Sequence, residues 1–205
     1  MKISSKGGGH RADAGHRKRR ECALKKESSK MISVETEGRA VPTLPVWKRV
    51  TLGRHKDAAG YLAALRAGGN SVSEYAKDII VNMSIAPVET PVDLVLVAVR
   101  AMISPNGATS VQIYAWAEER GLESCPAEVG PALREHYRDQ PAGEVIRVGM
   151  EPTDSDNYAR VLFVHRGSFI EGRKRWLSTP GAFHDPNHRL GRRNECLMVL
   201  VRPNK

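Results

Sequence analysis

The sequence predicts an α+β fold, a helical N-terminal half packed on a small, mainly antiparallel sheet, occupying residues 46–203 as a single domain. Two observations carry that expectation. Apolar residues recur at helical spacing, behind capping residues, up to about residue 137, whereas after Pro141 the apolar segments are short, β-branched and extended. A hydrophobic content of 40% in 205 residues is enough for a packed core.

Taken in order, Val46–Leu52 reads as a short strand closed by Gly53. Asp57 to Ala67 places Ala58, Tyr61, Leu62 and Leu65 on one helical face, and Gly68-Gly69 ends it. Ser71 or Ser73 caps a second helix reaching about Met83. Val92–Val99 fits a buried strand or a core helix, and its β-branched content favours the strand. Thr109 caps a helix running to Arg120, with Gly121 after it. A further helix begins near Pro126 or Pro131; Pro131 belongs in its first turn or two, because deeper inside it would clash with the preceding turn. Extended segments are expected at Val145–Met150, Ala159–His165, Arg175–Leu177 and Cys196–Val201.

Residues 1–45 read as a disordered basic tail, poor in large apolar side chains. Two readings of its first 30 residues stand side by side: a phosphate-neutralising arm, or a mis-assigned start with Met31 as the true first residue.

Charge is unevenly distributed. The net charge is +9, yet residues 1–30 hold 10 Lys and Arg against 3 acids, residues 31–159 hold 12 against 17, and residues 160–205 hold 10 against 3. The folded part therefore pairs an acidic middle with a basic end, a polarity that suits another protein or a second copy as partner. Nucleic acid is the alternative partner. A spanning helix is excluded, since the longest apolar run, Leu94–Val99, falls far short of roughly 20 residues. Three distant cysteines, without Cys-x-x-Cys spacing, form neither a zinc site nor a disulfide framework, so a reduced, cytoplasmic protein is expected.

Candidate sites follow. Arg173, Lys174, Arg175, Arg189, Arg192 and Arg193 form a prospective basic face, with Trp176 placed to stack on a base; the plainer reading is two solvated loop ends and a core tryptophan. Residues 109–165 have the element order of a winged helix, although Glu128, Glu135 and Asp139 on the second helix and the acidic 151–157 loop would repel phosphate. Glu151, Asp154 and Asp156 suit a hard cation but are equally ordinary turn formers. His184 and His188 have the i, i+4 spacing of a zinc helix, which Pro186 disfavours. Cys125 stands just before a helix start, where a thiol is activated, or is a small core residue. Glu128, Glu144, Glu151 and Asp154 would serve a hydrolase with a carboxylate-lined cleft. No metal or cofactor motif is present, and no cofactor is expected. The leading expectation is a non-enzymatic binding or interaction module.

Val46-Trp47-Lys48 with Leu52–Lys56, Cys125-Pro-Ala-Glu-Val-Gly-Pro-Ala-Leu-Arg134, Asp139-Gln-Pro141 with Gly143-Glu144, and Gly149-Met-Glu-Pro152 with Asp154-Ser-Asp156 together resemble a family of small, uncharacterised bacterial proteins. The resemblance covers about residues 46–202 and implies a bacterial, cytoplasmic setting and a chain start after residue 30. It assigns no activity, so Cys125, Pro126, Glu128, Gly130, Pro131, Arg134, Gln140, Pro141, Glu144, Glu151, Pro152, Asp154 and Asp156 are signature positions of unknown role.

Overall fold

The computed structural model describes residues 44–155, 158–167, 172–179, 188–192 and 194–203. Residues 1–43 of the expected tail, Arg193, Asp156 and His184 lie outside them, whereas Leu44, expected in the tail, packs on the core and accepts from Arg202.

Strands and helices alternate in the first part of the described chain: β1 (Lys48–Leu52), α1 (Ala58–Ala67), β2 (Asn70–Val72), α2 (Glu74–Asn82) and β3 (Thr90–Ala98). A π-helical turn (Val99–Ile103) follows, then α3 (Ser110–Glu118), α4 (Val129–His136) and β4 (Val145–Val148). The last strands are β5 (Thr153–Ser155), β6 (Tyr158–Arg160), β7 (Phe163–Arg166), β8 (Arg175–Ser178) and β9 (Leu197–Arg202).

Local chemistry sets the helix limits. Asp57 accepts from the Gly60 N–H at 2.7 Å, and Ser73 accepts from Ala76 at 3.3 Å. Thr109 and Gln112 form a reciprocal capping box. Pro131 is the third residue of α4, where its missing N–H breaks no helical bond.

Seven strands make one curled, half-barrel sheet in the order β1-β3-β9-β4-β7-β8-β2, with β5 and β6 paired separately. This corrects the expected architecture of a helical half on a small sheet. Three of the seven strands come from the N-terminal half, and the helices are short, between 8 and 10 residues each. The sheet is also mixed: β2–β8 and β4–β9 are parallel, the other pairs antiparallel. The physical reason is visible in β3 and β9. Their side chains are buried on both faces, so they read as continuous apolar runs and form the middle of a large sheet. Val92–Val99 is strand as far as Ala98.

Alternation sorts the core into two layers. Leu94, Val199 and Val201 join Ile146, Val164 and Leu177 under α1, α2 and α4, with Tyr61, Leu65, Ile79 and Leu133 filling the space. Val95, Val97, Met198 and Leu200 face the opposite way and pack on Ile113 and Ala117 of α3.

Candidate nucleic-acid interface

Strand direction decides which side chains share an end of the sheet. The pairings make β1, β2, β4, β8 and β9 run one way and β3 and β7 the other. The start of β8, the end of β7, the end of β3 and the entry to β9 therefore meet at one end. Arg166, Arg173, Lys174 and Arg175 arrive there from the β7–β8 connection. Arg100 comes from the turn after β3, and Arg189 and Arg192 from the segment before β9. Two basic segments separated in sequence are thus brought to one edge.

Several of these cations are oriented by carbonyl groups, which aim a guanidinium without neutralising it. Arg175 donates to the Gly68 carbonyl at 2.5 Å and to that of Arg138 at 3.3 Å. Arg189 donates to the carbonyls of Gly107 at 2.6 Å and Asn106 at 3.3 Å. Arg166 holds the Gln140 carbonyl at 2.8 Å. Arg173, Lys174 and Arg192 are exposed. Arg173 is the one non-glycine among the described residues with a left-handed backbone, φ 54°, which costs roughly 1–2 kcal/mol.

One residue in from the paired Arg166 and Arg175 lies a row across four strands. Val145 pairs with His165, His165 with Trp176, and Trp176 with Ser71, so all four point to the same face. That face is opposite to Ile146, Val164 and Leu177, which lie in the helix-covered core. Val145 is 48% exposed, and His165 and Trp176 are half-buried. The His165 and Trp176 rings are nearly parallel, 10° apart, with centroids 6.3 Å from each other. In the next row Arg147 sits opposite Phe163, its guanidinium 5.6 Å from the ring centre, and Ser178 completes the row. Sequence reading singled out Trp176 but not Val145, His165 or Ser71. The alternation in Phe163–Arg166 and Arg175–Ser178 was a signal for their facing, but not for which strands adjoin.

Of the positions that carry the resemblance, Cys125, Glu128, Gly130, Pro131, Arg134 and Gln140 are buried, while Pro126, Pro141 and Glu151 are exposed. Glu128 is 1% exposed, and its carboxylate accepts from Gly53 N–H at 2.6 Å, Tyr61 O–H at 2.6 Å and Ala86 N–H at 2.8 Å. Arg134 is fully buried and donates to Gln140 Oε1 at 2.5 Å, to the His165 carbonyl at 3.3 Å and to the Tyr137 carbonyl. Burial, and then the nearby Arg175 charge, lower its pKa to about 10. Gln140 in turn donates to the carbonyls of Val164 at 3.1 Å and Glu144 at 3.2 Å. Arg134 and Gln140 thereby clamp β7 from behind, at the carbonyls of Val164 and half-buried His165. Gly130 lets α4 approach Leu162: a Cβ there would stand 2.5 Å from Leu162 Cδ1.

Cys125 is not an activated thiol. It precedes α4 by four positions, its Sγ donates to the Val199 carbonyl at 3.3 Å, and burial pushes its pKa up to about 12. Pro126 and Pro141 supply turn carbonyls, to Val129 at 3.0 Å and Glu144 at 3.2 Å. Glu151 is exposed beside half-buried Pro152, and Asp154 lies on the backbone of the β5–β6 pair. Among the hydrolase candidates Glu151 lines an open recess of about 420 Å³, with Glu118, Glu123 and Tyr114, at the opposite end of the strands from the basic edge. The helices of the winged-helix reading are not packed together. α3 and α4 cover opposite faces of the sheet, and Val129 to Arg134 of the would-be recognition helix are buried. His188 is exposed, and the described residues hold no cluster of three or more metal-ligating side chains. No helix of the described residues is long and apolar enough to cross a membrane.

The sequence matches no protein-family model, and comparison with curated proteins and with solved structures gives no match either.

Proposed function

We propose that the folded unit is a non-enzymatic binding module whose ligand is nucleic acid, held at the basic edge of the sheet. The observation that supports this reading is the strand arrangement that gathers Arg173, Lys174, Arg175, Arg189 and Arg192 at one end, with Arg175 and Arg189 fixed by carbonyls. Cations fixed in this way neutralise backbone phosphates with little side-chain ordering left to do. The strained backbone of Arg173 fits the same picture, since such strain clusters at functional positions.

The test is affinity against salt concentration with the chain from residue 44 onward and with the full chain. Binding that weakens linearly on a double-logarithmic plot supports the reading. Replacing Arg173 and Lys174 together should shallow that slope by about 2. The variant Arg173→Gly should lose affinity without losing stability, because glycine relieves the left-handed φ. A flat salt response of both chains would sink the proposal.

A second reading, self-association, is favoured by the recess lined by Glu118, Glu123 and Glu151 at the other end of the strands. A basic edge of one copy facing an acidic end of the next makes a head-to-tail contact. Sedimentation velocity at low and high salt decides it: assembly that dissolves with salt supports this reading, and a monomer at high concentration in low salt rejects it.

A further inference from the structure

Independently of the nucleic-acid reading, we infer that the outer edge of β1 docks a second copy of this chain, with β1 lying antiparallel to its own counterpart. The alternation of main-chain groups locates the open stretch. Just past β3, the Val99 N–H bonds the Cys196 carbonyl at 3.0 Å and continues the register with β9. Odd-numbered residues of β3 therefore turn their main-chain groups to β9, while Thr90, Val92 and Leu94 turn theirs to β1. Pro91, which has no N–H, falls at a position turned away from β1. The partners of Thr90, Val92 and Leu94 are Leu52, Val50 and Lys48, so Arg49 and Thr51 present their N–H and C=O groups outward. Among the described residues no donor or acceptor meets the main chain of either on that side. Buried main-chain groups are nearly always paired, so this stretch faces solvent, and the Arg49 side chain is 68% exposed.

The chemistry of the edge selects a second copy as the occupant. Charged side chains commonly guard such edges, but here they are drawn aside. Arg49 is held by Asp93 of β3 at 2.5 and 2.9 Å, and the Lys48 ammonium lies 4.2 Å from the centre of the Tyr137 ring. The open stretch is also short. Trp47 and Lys48 both face Leu94, a bulge that closes it on one side, and Gly53, at φ 71°, turns the chain on the other. A longer foreign strand would gain no more bonds there than β1 itself supplies. Charge then fixes the register. With Val50 opposite Val50 of the second copy, each Arg49 lies opposite a Thr51, and each such pair exchanges both of its main-chain bonds. With Arg49 opposite Arg49, like charges would meet directly. The favoured register maps onto itself under a two-fold axis, so the contact closes at a dimer and joins the two sheets into one.

The experiment is sedimentation equilibrium of the full chain at low salt and in about 1 M salt, where the screening length is about 3 Å. The expected result is a monomer–dimer equilibrium that survives high salt and forms no larger species. Hydrogen exchange in peptides spanning residues 47–53 should slow at high protein concentration and quicken on dilution, because the outward amides of Arg49 and Thr51 become bonded. Thr51→Pro removes a donor that the monomer leaves unused. It should weaken the dimer about 10- to 100-fold while the melting temperature stays near that of the parent. Thr51→Lys sets a cation opposite Arg49 of the second copy and should weaken the dimer at low salt; it keeps the test valid should the proline variant fold poorly. A monomer up to the solubility limit, or a dimer that both variants leave intact, would overturn this inference. Assembly that dissolves in salt or grows beyond a dimer would overturn it in favour of the head-to-tail contact.

Discussion

Replacing Glu128 with glutamine is nearly isosteric, yet it should cost this fold about 3 kcal/mol. The carboxylate takes three donors: Gly53 N–H and Tyr61 O–H at Oε1, Ala86 N–H at Oε2. An amide offers only one acceptor oxygen. If that oxygen keeps Gly53 and Tyr61, the NH2 group is turned against the Ala86 N–H, and one charge-assisted bond worth about 1.5–3 kcal/mol is lost. The two remaining bonds weaken to neutral ones, about 0.5–1 kcal/mol apiece. Relief of burying a charge offsets part of this. At about 2–4 °C per kcal/mol for a domain of this size, the midpoint of melting should fall by about 6–12 °C. Urea denaturation followed by tryptophan emission gives the free energy directly, provided the slope m is unchanged. Tyr61→Phe removes one donor and should cost about 1–2 kcal/mol. The double variant should fall short of the sum, since both changes act on one oxygen. If Glu128→Gln lies within about 0.5 kcal/mol of the parent, the argument from donor count is refuted.

Three further outcomes follow from the packing. Gly130→Ala should destabilise by about 1–3 kcal/mol through overpacking on fully buried Leu162, against the usual helix gain of alanine, and calorimetry reads the sign. The Cys125 thiol, pushed up to about 12 by burial, should resist alkylation in the native protein near neutral pH and react on unfolding; peptide-resolved mass spectrometry checks this, and rapid native labelling would contradict it. Asp93 accepts Arg49 Nε at 2.5 Å and its terminal nitrogen at 2.9 Å, and that bond holds its pKa below the ordinary value. A depressed carboxylate stabilises above its unfolded pKa of about 3.9 and loses that contribution as pH falls through the folded value. Acid unfolding of Asp93→Asn should therefore be less steep below about pH 4 than that of the parent.

Local chemistry was legible in the sequence where one short segment determines it. The caps at Asp57, Ser73 and Thr109 and the early position of Pro131 depend only on neighbours within a turn. The sheet was not legible, because its size depends on pairings between distant segments. Asn70–Val72 is three residues without any strand pattern, and becomes a strand only by lying parallel to Arg175–Leu177. Leu197–Val199 has an ordinary strand pattern, but nothing local places it beside Ile146–Val148. The same limit hid the work of the signature. Glu128 is a binding-site candidate by residue type, and becomes a core acceptor because Gly53 and Ala86 close over it from 75 and 42 positions away. The basic residues 173–175 and 189–192 were visible as charges, while their shared edge required the directions of β7, β8 and β9.

The place of β9 in the sheet has a consequence for how the protein is made. Strands β1 and β3 lie on one side of it and β4, β7, β8 and β2 on the other, and within the sheet β9 is the strand that pairs the two groups. Along the chain β9 follows every other strand of this sheet, so it is the last of them to leave a ribosome. Until then the apolar strand β3 and its counterpart β4 each present an open edge, the kind of surface that recruits chaperones or a neighbouring nascent chain. The sheet should therefore stay unfinished until β9 emerges and then close cooperatively, and a chain stalled before Leu197 should be a target for degradation.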